Sequence, residues 1–275
     1  MRSFLFIGGS ICIALLLGCA PKNEHTPKDE QYLHQQEKEQ GYPVLIATPE
    51  IANYGLPFCE KKYCLEVEIF SFKSQDEWFN QFVDQKISDL IRLQLDLTQK
   101  LSLQKAVNEF VRLSDEWQEE HSNQPWSMYI QPRVASQYSE ITLLQVQSEY
   151  VLGDLNIPKQ VHYFVVDRNL KKEIKLYDVI NENNRVAFGE FLQTEYQKWL
   201  AIQIDKTDLP EKVYWANQDW FFDEQGIAIY YRQADLNPNL EYKNENLTIY
   251  LPTEKLQLWL KKEYLLLFGL LKTTI

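Results

Sequence analysis

Glycine is scarce in this chain, at 9 of 275 residues. The shortage excludes collagen-like and flexible low-complexity architectures. No phosphate-cradling loop of the G-x-x-x-x-G-K-[ST] or G-x-G-x-x-G kind occurs. There is no G-x-S-x-G nucleophile elbow and no acidic calcium loop. Histidine is equally sparse, with 4 residues, and none stand at H-E-x-x-H or H-x-H spacing, so no zinc or other metal set is expected. His121 and His162 therefore read as surface or structural residues. No motif calls for a cofactor. No apolar run reaches the roughly 20 residues that a spanning helix needs: Phe4 to Leu17 and Tyr264 to Leu271 are both too short.

What is present is apolar, aromatic and acidic. Hydrophobic residues make up 45%, enough for a substantial core, and aromatics 13%. The formal charge is −11. Such a balance repels nucleic acid and anionic lipid surfaces, and it would draw in a basic partner.

The first residues carry an address. Arg2 precedes an apolar stretch, and Leu16-Leu17-Gly18-Cys19-Ala20 follows it. This pattern resembles the bacterial lipoprotein signal. The resemblance implies cleavage after residue 18, a diacylglyceryl group on the Cys19 thiol and acylation, such as palmitate, of the freed amine. Ala20 is not the Asp that commonly retains lipoproteins at the inner membrane. The expectation is a protein anchored through its N-terminal lipid to the outer membrane, facing the periplasm or the cell surface. Residues 20 to about 41 are polar and charged, and they read as a tether. With Cys12 removed and Cys19 acylated, Cys59 and Cys64 remain as an even pair in an oxidising compartment. Four residues separate them, too many for a redox C-x-x-C and suited to a disulfide across a tight turn. So small a loop adds on the order of 2 kcal/mol.

Beyond the tether, periodicity separates strands from helices. Leu65, Val67 and Ile69 alternate with Glu66 and Glu68, the pattern of a strand with one wet face. Ser74 and Glu77 have capping-box spacing, and a helix is expected from there to about Leu97. A second helix spans Ser102 to Glu120. Trp126 to Gln137 reads as a strand interrupted by Pro132, at an edge or a bulge. Thr142 to Leu152 and Val161 to Asp167 read as further strands. A third long helix covers about Asn184 to Ile204. Trp220-Phe221-Phe222 turns through Asp223-Glu224-Gln225-Gly226 into Ile227 to Tyr231. Leu247 to Leu251 makes a last strand before Pro252 and a helix from Thr253. Clustered rather than alternating elements, several with one polar face, indicate an α+β fold: antiparallel sheet with helices packed on one side. The expected units are the signal (1–18), lipidated cysteine and tether (19–41), an N-terminal subdomain (42–139) and a C-terminal domain (140–275).

The aromatic excess concentrates around one hairpin. Trp220, Phe222, Tyr230 and Tyr231 are too many for a single buried face, so some are expected to form an exposed platform for ligand. Asp219, Asp223 and Glu224 cluster there too. Paired carboxylates serve glycoside hydrolysis, and turn solvation explains the same residues.

The segment Trp220 to Tyr231, with Leu247-Thr248-Ile249-Tyr250-Leu251-Pro252 and Leu256, resembles the C-terminal signature of the RsiV-like extracytoplasmic domain family. Leu176-Tyr177-Asp178-Val179-Ile180 followed by a helix fits as well, and the resemblance covers about residues 140 to 260. The family occurs in RsiV-type anti-sigma factors, beside the catalytic domain of PdaC-type peptidoglycan deacetylases, and in stand-alone lipoproteins. Two loops depart from its pattern. Leu152-Gly153-Asp154-Leu155-Asn156-Ile157-Pro158 stands where a Gly-Gly-Ala-His run is usual, and Ala234 to Pro238 lacks the usual Tyr and Gly. In RsiV-type proteins the domain senses lysozyme outside the membrane. The resemblance implies a non-enzymatic envelope module for a protein (lysozyme-like) or peptidoglycan-related ligand. A peptidoglycan-acting hydrolase and a structural accessory of the outer membrane are the alternatives.

Overall fold

Two sheets share the chain. In the computed structural model, residues 43–56, 64–121, 125–203, 209–236 and 246–267 are described. The lipobox with Cys19, the tether, and Cys59 lie outside the described residues. No helix among the described residues is long and apolar enough to cross a membrane.

The larger sheet has six strands in sequence order: β1 (Ala47–Ile51), β2 (Glu66–Ser74), β3 (Ser127–Tyr138), β4 (Ile141–Leu152), β5 (Leu155–Asp167) and the short β6 (Lys172–Glu173). Every pairing is antiparallel except β2 with β3. A parallel pair needs a crossover, and α1 (Glu77–Gln94) and α2 (Leu103–His121) supply it. The smaller sheet is the antiparallel set β7 (Asp219–Asp223), β8 (Gly226–Tyr231) and β9 (Leu247–Tyr250). Between the sheets in sequence come a short α3 (Leu176–Val179) and the long α4 (Arg185–Ile202). The remaining helices are short: α5 (Gln233–Leu236), α6 (Thr253–Trp259) and α7 (Lys262–Leu267). The fold is α+β and mostly antiparallel, with the strands divided between two sheets rather than gathered in one.

The helical stripes bury as their spacing requires. Phe79, Val83, Ile87 and Ile91 of α1, with Ala106, Val107 and Phe110 of α2, cover Ile69, Ile130, Leu144, Val146 and Tyr150 of the sheet. The α1 cap differs from expectation. Asp76, not Ser74, accepts the Phe79 N–H at 3.0 Å, while the Ser74 hydroxyl reaches Asn80 Oδ1 at 2.7 Å. Both shapes cap a helix, but Asp places its oxygen one bond further out and its charge against the helix dipole.

Because side chains alternate along a strand, β4 and β5 serve two cores. Leu144, Val146 and Val166 face α1 and α2; Ile141, Leu143 and Val165 face the second core. That core gathers Phe188, Leu192 and Tyr196 of α4 with the β7–β8 hairpin, Leu256 and Trp259. Residues 139 and 140, the expected boundary between subdomains, form the turn of the β3–β4 hairpin, where Tyr138 pairs with Ile141.

Two irregularities explain local sequence. Pro132 lies within β3, which is unbroken, and pairs with Val146. β2 stops pairing at Ile130, so on that side Pro132 faces no strand that needs its missing N–H. The register of β4 and β5 shifts between Ser148↔Gln160 and Tyr150↔Ile157. Pro158 sits in that bulge, and β5 thus begins six residues earlier than its apolar pattern signals. At the free edge of the large sheet, β1 exposes Pro49 and Glu50.

Candidate functional site

The hairpin aromatics do not form a platform. Trp220, Phe222, Tyr230 and Tyr231 are all buried, and this corrects their assignment as ligand contacts. Counting only one buried face was the error, since this small sheet is covered on both. Phe221 and Tyr230 lie against Tyr163 of β5, at ring distances of 4.7 and 5.1 Å. Trp220, Phe222 and Tyr231 point the other way, into the core beneath α4 and α6. The Trp220 indole N–H donates to the Ile174 carbonyl at 3.0 Å. Burial pushes the Tyr230 hydroxyl up to about 12.

The acidic residues of the hairpin are also occupied. Asp223 Oδ1 accepts the Gln225 N–H at 2.8 Å and its Oδ2 accepts the Tyr250 hydroxyl at 2.7 Å. Asp219 is half-buried at the junction of the two sheets. It accepts the Tyr163 N–H at 3.0 Å and is ion-paired with Arg232 at 2.6 Å. Burial pushes the Asp219 carboxyl up, and the Arg232 guanidinium opposes that shift. Arg232 spans further: Nη2 donates to Asp235 at 3.0 Å, and Nη1 also meets His162 Nδ1 at 3.0 Å. His162 and its neighbours were not legible as a cluster, because β5, β7 and the end of β8 contribute one residue each.

The chemistry of this cluster follows from its protons. A guanidinium only donates, so Nδ1 of His162 accepts and Nε2 carries the proton. Nε2 faces Ser148 Oγ at 3.5 Å. A serine–histidine pair needs the reverse: a bare Nε2 to take the hydroxyl proton and a carboxylate on Nδ1. Here a cation stands where the carboxylate would. Burial, with Arg232 beside it, holds His162 well below its usual range. The arrangement therefore pins one sheet to the other and is poorly made for base catalysis. A cavity of about 370 Å³ opens beside it, lined by Lys86, Asp89, Arg92, His162, Asp219 and Arg232 among others. Its cations are committed: Lys86 to Glu173 at 2.6 Å, Arg92 to Asp89 at 2.8 Å, Arg232 to Asp219. Glu173 is lowered despite its burial, because Lys86 and Lys175 both face it. His121 ends α2 with its ring stacked on Trp117 at 3.7 Å. Among the described residues no three His, Cys, Asp or Glu side chains gather as a metal set would.

The second concavity is larger and open. Residues 209–218 run along α4 and are strapped to it by side chains. Gln193 and Gln197 both donate to the Glu211 carbonyl at 2.8 Å. Gln193 Oε1 accepts the Val213 N–H at 3.1 Å, and the Tyr196 hydroxyl donates to the Pro210 carbonyl at 2.6 Å. Between strap and helix lies a groove of about 630 Å³, with Gly189, Thr194, Lys212, Tyr214 and Trp215 on its walls. Trp215 is wedged against Phe188 at 4.9 Å and stacked on Tyr177 at 5.9 Å, whose ring is in turn capped by Arg185 at 3.5 Å. Gly189 makes the close approach achievable, since a Cβ there would meet Trp215 Nε1 at 3.1 Å. Tyr214 stands 87% exposed. Trp215 stands five residues before Trp220 in the sequence, and nothing there paired it with α4. The one local sign is an adjacent Tyr-Trp in a stretch without strand or helix periodicity.

Comparison with known proteins reaches only the fold. No family model matches the chain, and no curated protein does. Solved structures do match. One is a DUF3298 family protein from Pseudomonas aeruginosa PAO1, at TM-score 0.54 and 17% identity, covering 80% of this chain and 94% of that one. Another is a DUF3298 family member from Bacteroides fragilis NCTC 9343, at TM-score 0.50 and 14% identity, covering 80% of this chain and 93% of that one. The chain thus shares the fold of DUF3298 proteins over most of its length, which fits the RsiV-like resemblance read in its C-terminal half.

Proposed function

We propose that this protein is a lipid-anchored envelope module that binds, and does not chemically transform, a protein (lysozyme-like) or peptidoglycan-related ligand. The anchor would be Cys19, and the location the outer membrane, facing the periplasm or the cell surface. The observation that carries the reading is the contrast between the two concavities. The one beside His162 and Asp219 is locked by its own ion pairs, whereas the groove between α4 and the 209–218 strap presents aromatic and polar groups to solvent. Sites of the second kind suit recognition. The lipobox and the acidic balance support the same reading, and the DUF3298-like fold accords with it. A net charge of −11 would speed encounter with a basic protein and make that encounter sensitive to salt.

The test joins address and binding. Palmitate labelling in cells should mark the wild type and spare Cys19→Ser. The full chain, solubilised in detergent, is then titrated with lysozyme and with muropeptides at low and at physiological salt. Binding of either ligand is expected. Silence towards both, at both salts, would sink the proposal.

A further inference from the structure

We propose that the groove between α4 and the 209–218 strap binds a neutral oligosaccharide. The idea rests on the binding-module reading above and names the ligand class for one surface of it.

The lining carries the argument. Glu190 and Lys212, one charge of each sign, line it together with Thr194, Tyr214 and Trp215. The Thr194 hydroxyl donates to the Glu190 carbonyl at 2.8 Å and keeps its lone pairs for a ligand. A phosphate or other strong anion would need several cations converging, and here there is one. An acyl chain would need a closed apolar tunnel, and this groove is open. A sugar answers both halves of the lining. One face of a pyranose ring is a plane of C–H groups that lies flat on an aromatic side chain. Its edge is a ring of hydroxyls or acetamido groups that bond equally to a carboxylate, an ammonium or a hydroxyl.

Geometry adds two points. The groove, at about 630 Å³, falls within the range of small-molecule sites and has room for a short saccharide. The four side-chain bonds from Gln193, Gln197 and Tyr196 hold the strap in place before any ligand arrives, so little ordering entropy opposes binding. Tyr214 is the telling residue. Tyr214 is 87% exposed, so its ring buries little surface in the free protein. Laid against a sugar ring, it would be covered.

The experiment uses the full chain in a detergent without a sugar headgroup. Triacetylchitotriose and maltotriose are titrated separately by calorimetry, with tryptophan emission followed in parallel. At least one trisaccharide should bind and shift the emission of Trp215. Tyr214→Ala should weaken that binding about tenfold, the cost of truncating one contact anchor, with thermal unfolding unchanged. Leu93→Ala, an exposed position on α1, should leave affinity unaltered. No binding of either trisaccharide up to about 10 mM, or unchanged affinity in Tyr214→Ala, overturns the inference. Lysozyme captured normally by a protein that ignores both sugars overturns it too, and leaves the binding-module reading standing.

Discussion

His162 shows what a buried histidine does when a guanidinium, not a carboxylate, faces it. Its ordinary pKa is 6.5, and in the fold it sits well below that, because burial and then Arg232 disfavour the imidazolium. As pH falls through 6.5, the unfolded chain takes a proton that the folded chain refuses. The unfolded state then binds more protons, so stability must fall with pH, by up to about 1.4 kcal/mol per unit. The loss begins near pH 6.5 and continues down to the folded-state pKa. Urea midpoints at descending pH should show this slope, and His162→Gln, whose amide oxygen can still accept from Arg232, should flatten it. A variant with the wild-type slope would remove His162 as the cause. The sequence placed His162 in a strand, and β5 holds it there. It could not show Arg232, because 70 residues separate the two.

At the level of elements, strands and helices were readable where a single period governs burial. α2 was expected from Ser102 to Glu120 and is found one residue later at each end. β4 was expected from Thr142 to Leu152 and runs Ile141–Leu152, burying Leu144, Val146, Ser148 and Tyr150 at every second position. Legibility failed where geometry breaks the period. The early part of β5 hid behind the bulge at Pro158, and the hairpin aromatics misled because both faces of their sheet are covered. The β4–β5 turn gives a sharp test. Gly153 adopts φ +62°, and a Cβ there would overlap the Trp117 ring of α2. Strain from the left-handed backbone adds to the collision. Gly153→Ala should cost about 2 kcal/mol or more in chemical denaturation. A near-neutral substitution would mean that the hairpin and α2 part easily.

For the whole molecule, the division at residues 139 and 140 has a direct consequence. The two halves share β4 and β5, each strand burying one face in either core. A chain beginning at residue 140 keeps the resemblance to the RsiV-like family yet loses β3, α1 and α2, and with them the cover for Leu144, Val146 and Tyr150. The fragment 140–275 is expected to lack cooperative thermal unfolding by circular dichroism, and the full chain to melt in one transition. A folded fragment would restore the independent C-terminal domain that the family resemblance implied. Sequence similarity followed the strands that carry the signature, while cooperativity follows the shared core, and no residue pattern reports the second.

The outermost strand bears on how such a protein survives crowding. β1 closes one side of the six-stranded sheet, and an open backbone ladder there would invite other chains to stack on it. Pro49 withholds one donor from any such stack, and Glu50 places a solvated charge beside it. Under the lipid anchoring proposed above, the chain would be concentrated on a two-dimensional surface and would meet its neighbours far more often than in solution. Its border would then be guarded against fibre growth by Pro49 and Glu50.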